Sequence, residues 1–204
     1  MQRDGSWEMG MSAENAFQET FKLPQLPVSR HDQRVKHIDA RMRDTQRIFG
    51  VGDVCTIEIK ATKRMRRYHT HANHRQVTLE LLGITGYPGW IFSDADYVAF
   101  QQPRNWWLLV PPASLQSLVL RPYSMSANDV RRMPPEEVAA RVQMVLAVKD
   151  ATNSRFYCRP GRMDLISRYS VHEVAALNGA RLYDAGGANM PLAQLAPLLA
   201  AAGQ

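Results

Sequence analysis

Asp39, Glu58 and Lys60 are the residues of this chain whose types and spacing best suit chemistry. Glu58 and Lys60 stand two apart in TIEIK, and in an extended strand that spacing projects both from one face. Ile57 and Ile59 then turn into the opposite, apolar layer. Asp39 opens the preceding run, HIDARMR, and comes beside Glu58 if residues 44 to 53 fold back as a hairpin loop, a turn that Gly50 and Gly52 suit. Two carboxylates so placed repel each other unless a cation lies between them. Hard oxygen ligands favour magnesium, or manganese in its stead, over zinc. A lysine ammonium alongside can orient an attacking water and offset charge growing on a phosphoryl oxygen, which makes a phosphodiester the natural substrate. The plain alternative is a solvated Glu-x-Lys pair on a strand. Asp44 is a reserve for the first acid, and Asp53 belongs to the turn.

The elements that must position this trio can be read from capping and periodicity. Ser12 can cap a helix from Ala13 to Lys22, closed by Pro24 and Pro27, with Ala13, Ala16, Phe17 and Phe21 as its apolar side. Glu14 falls near the start of that helix, where it either meets the helix dipole or reaches a neighbouring metal site. Residues 28 to 36 form an irregular basic connection to the two strands. The run VTLELLGI from Val77 reads as strand or short helix. Gly86, Pro88 and Gly89 make turns in GYPGW, after which IFSDADYVAF and NWWLLV read as strands ending near Val110. Pro111 and Pro112 introduce a helix over 113 to 119. Residues 121 to 133 read as a polar, exposed excursion, and PPEEVAARVQMVLAV as a helix with acids in its first turn. A hairpin over 155 to 168 turning at Pro160 and Gly161, a helix at SVHEVAAL, and a C-terminal docking helix or frayed tail complete the chain.

With 204 residues the chain suits one domain plus an extension. Lys and Arg number 25 against 19 Asp and Glu, a net charge of +6 that favours a polyanionic partner. The excess is concentrated just after the trio: Lys60, Lys63, Arg64, Arg66, Arg67 and Arg75, with His69, His71 and His74, precede the next acid, Glu80. Such a loop can follow a DNA backbone, phosphate contacts giving affinity without reading sequence, or it can be simply solvated. The three histidines lack a cysteine partner or helical register for zinc. Cys55 and Cys158 have no CxxC spacing and read as reduced, buried thiols. No signal-peptide core or membrane-length apolar run is evident, so a cytoplasmic protein is expected. Trp106 and Trp107 either stack on unpaired bases or lie buried in a strand.

Taken in order, SAENAF with Glu14, KHID with Asp39, TIEIK with Glu58, Ile59 and Lys60, GYPGWIFSDADYVAF, and RPGRMDLISRYSVHEV resemble the PD-(D/E)XK, or restriction-endonuclease-like, nuclease superfamily, and within it the small nucleases of bacteriophages and mobile elements. The resemblance covers residues 10 to 178. It implies an α/β (α+β) fold with an αβββαβ core, a mixed central sheet flanked by helices. The core would span residues 1–120, and 121–204 would be a C-terminal extension packed on the same domain. It also implies a Mg2+-dependent deoxyribonuclease, an endonuclease, in which Asp39, Glu58 and the Ile59 carbonyl bind the metal, Lys60 positions the water and Glu14 completes the site. Lys63, Arg64, Arg66, Arg67 and Arg75 would hold DNA, and a homodimer is one way to cut two strands. Ile38 stands where the superfamily has proline before the first aspartate, and the helix expected between strands three and four is not evident. Glu80 reads as an auxiliary acid or a surface residue; Trp90, Asp94, Asp96 and Tyr97 as packing and turn residues; Arg159, Arg162 and Asp164 as a phosphate grip or a structural ion pair. A non-catalytic DNA-binding or assembly protein with a nuclease-like fold is the main alternative, and an RNA-cleaving toxin a third reading.

Overall fold

A computed structural model describes residues 6–61, 76–83, 86–148, 156–158 and 165–201 of the chain. The architecture is mixed α/β. A seven-stranded sheet runs β1 (Gln25–Leu26), β2 (Ala40–Arg43), β3 (Val54–Lys60), β5 (Tyr97–Gln101), β6 (Trp107–Val110), β9 (Arg181–Tyr183) and β10 (Asn189–Met190) in spatial order. All neighbours are antiparallel except β3 and β5, which are parallel. A parallel pair requires a crossover. Here that connection includes β4 (Gln76–Leu82), which joins β8 (Leu165–Ser170) and β7 (Phe156–Cys158) in a second, three-stranded antiparallel sheet.

Helix α1 (Ser6–Phe21) covers one face of the large sheet. Ala13, Phe17 and Phe21 recur at helical spacing and are buried against Ile57, Ile59, Ala99, Trp107 and Leu109. Phe17 meets Trp107 edge-on, and Phe21 meets Phe49 and Tyr183 edge-on. The Trp107 indole donates to Thr20 Oγ1 at 3.1 Å, which removes the cost of burying its N–H. The helix begins at Ser6, so Ser12 is interior to it and not its cap.

The other face carries the larger core. Over β5 and β6 it is apolar: Val98, Phe100, Leu108 and Val110 pack under the small sheet and under α3 (Pro112–Leu120), α4 (Ala127–Arg132), α5 (Pro135–Val148), α6 (Val171–Ala175) and α7 (Leu195–Ala201). Because β5 and β6 are covered on both faces, they read as unbroken apolar runs. Residues 121 to 133 are not an exposed excursion: Tyr123, Met125 and Val130 are buried, and Ser126 with Asp129 forms a capping box for α4. VTLELL falls in the strand β4, Leu195 and Leu199 dock α7 onto the core, and the strand β9 inserts Leu182 and Tyr183 beside β6. Among the described residues no helix is long and apolar enough to cross a membrane.

Candidate active site

The β2–β3 hairpin builds the site from strand alternation. Cys55, Ile57 and Ile59 point into the α1 layer, so Thr56, Glu58 and Lys60 emerge on the other side. Residues 44–53 make the connecting loop, in which Gly50 (φ 67°) and Gly52 (φ 130°) take backbone angles that disfavour larger residues. Asp39 immediately precedes β2. Its amide donates to the Ile57 carbonyl at 2.9 Å and its Oδ2 accepts the Ile59 amide at 2.7 Å, so the carboxylate is fixed beside β3. Glu58 is 2% exposed and its Oε1 pairs with the Lys60 ammonium. That ammonium also lies 5.0 Å from the centroid of the buried Trp90 ring, a cation–π contact. Glu14 sits well inside α1, beyond reach of the N-terminal dipole. Its half-buried carboxyl is raised above its ordinary pKa by burial and by Asp39, with Lys60 opposing. Asp39, Glu58, Lys60 and Glu14, which are distant in the chain, therefore converge.

Glu58 tests whether a cation suits this corner. Among the described residues its buried Oε2 has no hydrogen-bond partner. The Asp39 carboxyl is near enough to share a proton with Glu58, yet two ionised carboxylates are both acceptors and leave that oxygen unsatisfied. Burial first, and Asp39 after it, push the Glu58 acid up to about 8 against the pull of Lys60. Only a proton or a cation can join such a pair. Among the described residues no three of His, Cys, Asp and Glu form a metal-holding group. The residue set fits a hard divalent ion held by few carboxylates.

A short segment, Trp90 to Ala95, braces both halves of this corner. Trp90 to Phe92 form a 3-10 turn whose ring at Trp90 carries Lys60. The buried Ser93 hydroxyl lies 2.6 Å from the His37 carbonyl and 3.2 Å from that of Lys36, while the Asp94 amide donates to the Lys36 carbonyl at 2.9 Å. These bonds hold His37 in a left-handed conformation, φ 51°, two residues before Asp39. Burial first, and Lys60 after it, lower the His37 imidazole below its ordinary pKa, against the opposing influence of Asp39 and of the Pro88 carbonyl. Gly89 sets the turn: a β-carbon there would fall 2.2 Å from the Glu80 carbonyl oxygen.

Other expected site residues are placed elsewhere. Asp44 is fully buried at the far end of β2, its two oxygens accepting the Ile48 and Phe49 amides at 2.7 and 2.8 Å. It caps the loop and is not adjacent to Glu58. Asp96 accepts both the amide and the hydroxyl of Thr56, and Tyr97 donates to the Phe49 carbonyl. Trp106 and Trp107 are buried in opposite layers and offer no face to a base. Lys63, Arg64, Arg66, Arg67 and Arg75, the histidines at 69, 71 and 74, and Arg159, Arg162 and Asp164 lie outside the described residues. Cys55 is a buried free thiol, its pKa driven far up by burial. Sequence reasoning passed over His37 and Ser93, whose roles depend on a contact between segments 56 residues apart. Comparison with family models, curated proteins and solved structures found no match.

Proposed function

We propose that the chain is a magnesium-dependent deoxyribonuclease, an endonuclease, that hydrolyses phosphodiester bonds at Asp39, Glu58 and Lys60. The observation that carries this reading is the buried Oε2 of Glu58, which has no hydrogen-bond partner among the described residues and lies next to the Asp39 carboxyl. A structural acid at such depth would be expected to have donors for both oxygens. Asp39 and Glu58 would hold the ion, with the Ile59 carbonyl as the further oxygen that the resemblance supplies. Bound there, magnesium or manganese would polarise the scissile phosphate and lower the pKa of an attacking water. Lys60, steadied by Glu58 and Trp90, presents a fixed positive charge to a phosphoryl oxygen and can orient the water. Glu14 borders the same corner and would complete it through a hydrogen bond or an outer contact.

A restriction-endonuclease-like core is supported by α1, the β2–β3 hairpin and the parallel neighbour β5 following in order. It differs at the crossover from β3 to β5, which carries β4 in the second sheet. The rival, a DNA-binding or assembly protein without turnover, is favoured by the closed Glu58–Lys60 pair, which can serve as a structural ion pair. A magnesium titration on plasmid, single-stranded and branched DNA separates the two. Metal-dependent cutting by the wild type and none by Glu58→Ala is the expected result. DNA binding without cutting in both proteins would establish the rival.

A further inference from the structure

The face of β2 that carries no α1 contact is basic and open. Ala40 and Met42 are buried under α1, so Arg41 and Arg43 project from the opposite side, and both are exposed. Cross-strand partners share a face. Arg41 stands across from Thr56 and Arg43 across from Val54, which places both guanidinium groups on the side from which Glu58 and Lys60 emerge further along β3. Around Glu58 that side is covered by the layer containing Trp90. Beyond Thr56 it opens, and Val54 is exposed with the two arginines.

The spacing suits a linear polyanion. Alternate side chains on a strand repeat at about 6.6 Å, comparable to the interval between neighbouring phosphates of a nucleic-acid strand. Neither arginine takes part in a salt bridge among the described residues. Each guanidinium can therefore offer a paired set of donors to a phosphate. Arg30 and Arg34 are exposed on the short helix α2 (Arg30–Val35), which leads into His37 and Asp39. Among the described residues, Asp96 on this side is engaged by Thr56, and Asp94 pairs with Arg131 at 3.6 Å.

We infer that Arg41 and Arg43 form a phosphate track for a nucleic-acid strand that leads along β2 to the Asp39–Glu58 corner. The inference rests on the nuclease reading for its occupant. An acidic protein segment would not need a strip that ends at a phosphodiester-cleaving site.

The test compares the full-length Arg41→Ala/Arg43→Ala double variant with Arg121→Ala/Arg132→Ala, which removes the same charge from exposed positions on the helical layer. DNA binding is measured by fluorescence anisotropy in calcium over a salt series, with circular dichroism as the check on folding. The expected result is a slope of log affinity against log salt that is shallower by about 2 for the β2 variant and little changed for the control. In magnesium the β2 variant should show a raised KM with kcat retained. Equal slopes for the two variants would overturn the track, and so would polyglutamate competing as well as DNA of equal charge. Wild-type protein that binds with the Arg41/Arg43-dependent slope but never cuts would remove the nuclease reading and support the track. Cutting by wild type, with unchanged binding and KM in the β2 variant, would remove the track alone.

Discussion

The β2–β3 hairpin has a buried acid at each end, Asp44 at the loop and Glu58 beside Asp39, and the two are satisfied in opposite ways. Asp44 has a backbone amide on each oxygen, from Ile48 and Phe49, so its charge is spread into the loop that it caps. Among the described residues Glu58 has Lys60 on one oxygen and no hydrogen-bond partner on the other. Burial is equally deep in both cases, yet only the first acid is complete within the fold. Depth therefore does not tell the two acids apart; the count of donors does. Asp39 sharpens the contrast, because it uses one oxygen on the Ile59 amide and brings the rest of its carboxylate toward Glu58.

The largest expected effect separates these two acids by what they support. Glu58→Ala should lower magnesium-dependent cleavage on the order of a thousandfold, since it removes a ligand whose charge the ion needs. Its thermal midpoint should hold or rise, because a buried oxygen without a partner is removed. Asp44→Ala should do the reverse. Two loop amides lose their acceptor, for a loss of about 2–4 kcal/mol in chemical denaturation, while cleavage per folded molecule is kept. Equal losses of activity in the two variants would abolish the distinction.

The brace gives the next contrast. Gly89→Ala forces a β-carbon against the Glu80 carbonyl and should destabilise by about 1–3 kcal/mol, with a fall in kcat because Trp90 follows directly. Trp90→Leu removes the ring under Lys60, an interaction of about 0.5–2 kcal/mol, and should reduce kcat several-fold at unchanged DNA affinity. Single-turnover cleavage with separate binding curves checks both. A Trp90→Leu protein that loses affinity and retains kcat would show that the ring serves substrate binding instead of Lys60.

Period-two patterning made the hairpin and the shared face of Glu58 and Lys60 legible, because alternation is local and a strand cannot evade it. The loop was legible from Gly50 and Gly52 for the same reason. Glu14 was misplaced within its helix: Ser12 looks like a cap, but the helix extends back to Ser6. Segment 121–133 carried a visible signal, the Ser126–Asp129 box, which outweighs its polar composition once Val130 has a core to enter. The strand β9 is three residues long and defined by pairing with β6 across more than 70 positions, so no local pattern announces it. The choice between Asp39 and Asp44 depended in the same way on donors that only the folded loop supplies.

Protonation offers the finest test of the two acids, because a proton competes with the ion for the oxygens of Glu58. Its folded pKa of about 8 lies above the ordinary 4.5, raised mainly by burial, so the folded state holds that proton more tightly than the unfolded chain. The sign follows from linkage: the stability contributed is fully present below the ordinary pKa and is lost as pH rises through the folded value. Metal-free protein should thus lose stability between roughly pH 5 and 8, and Glu58→Gln should flatten that decline. Manganese affinity should run the other way, tightening about tenfold per pH unit below 8 and levelling above it, since the ligand must be deprotonated. Lys60→Ala removes the charge that favours ionised Glu58 and should move the levelling point to higher pH. Calorimetric manganese titrations across that range decide the matter: a pH-independent affinity, or a Lys60→Ala curve that levels at lower pH, would mean that the ion does not bind at Glu58.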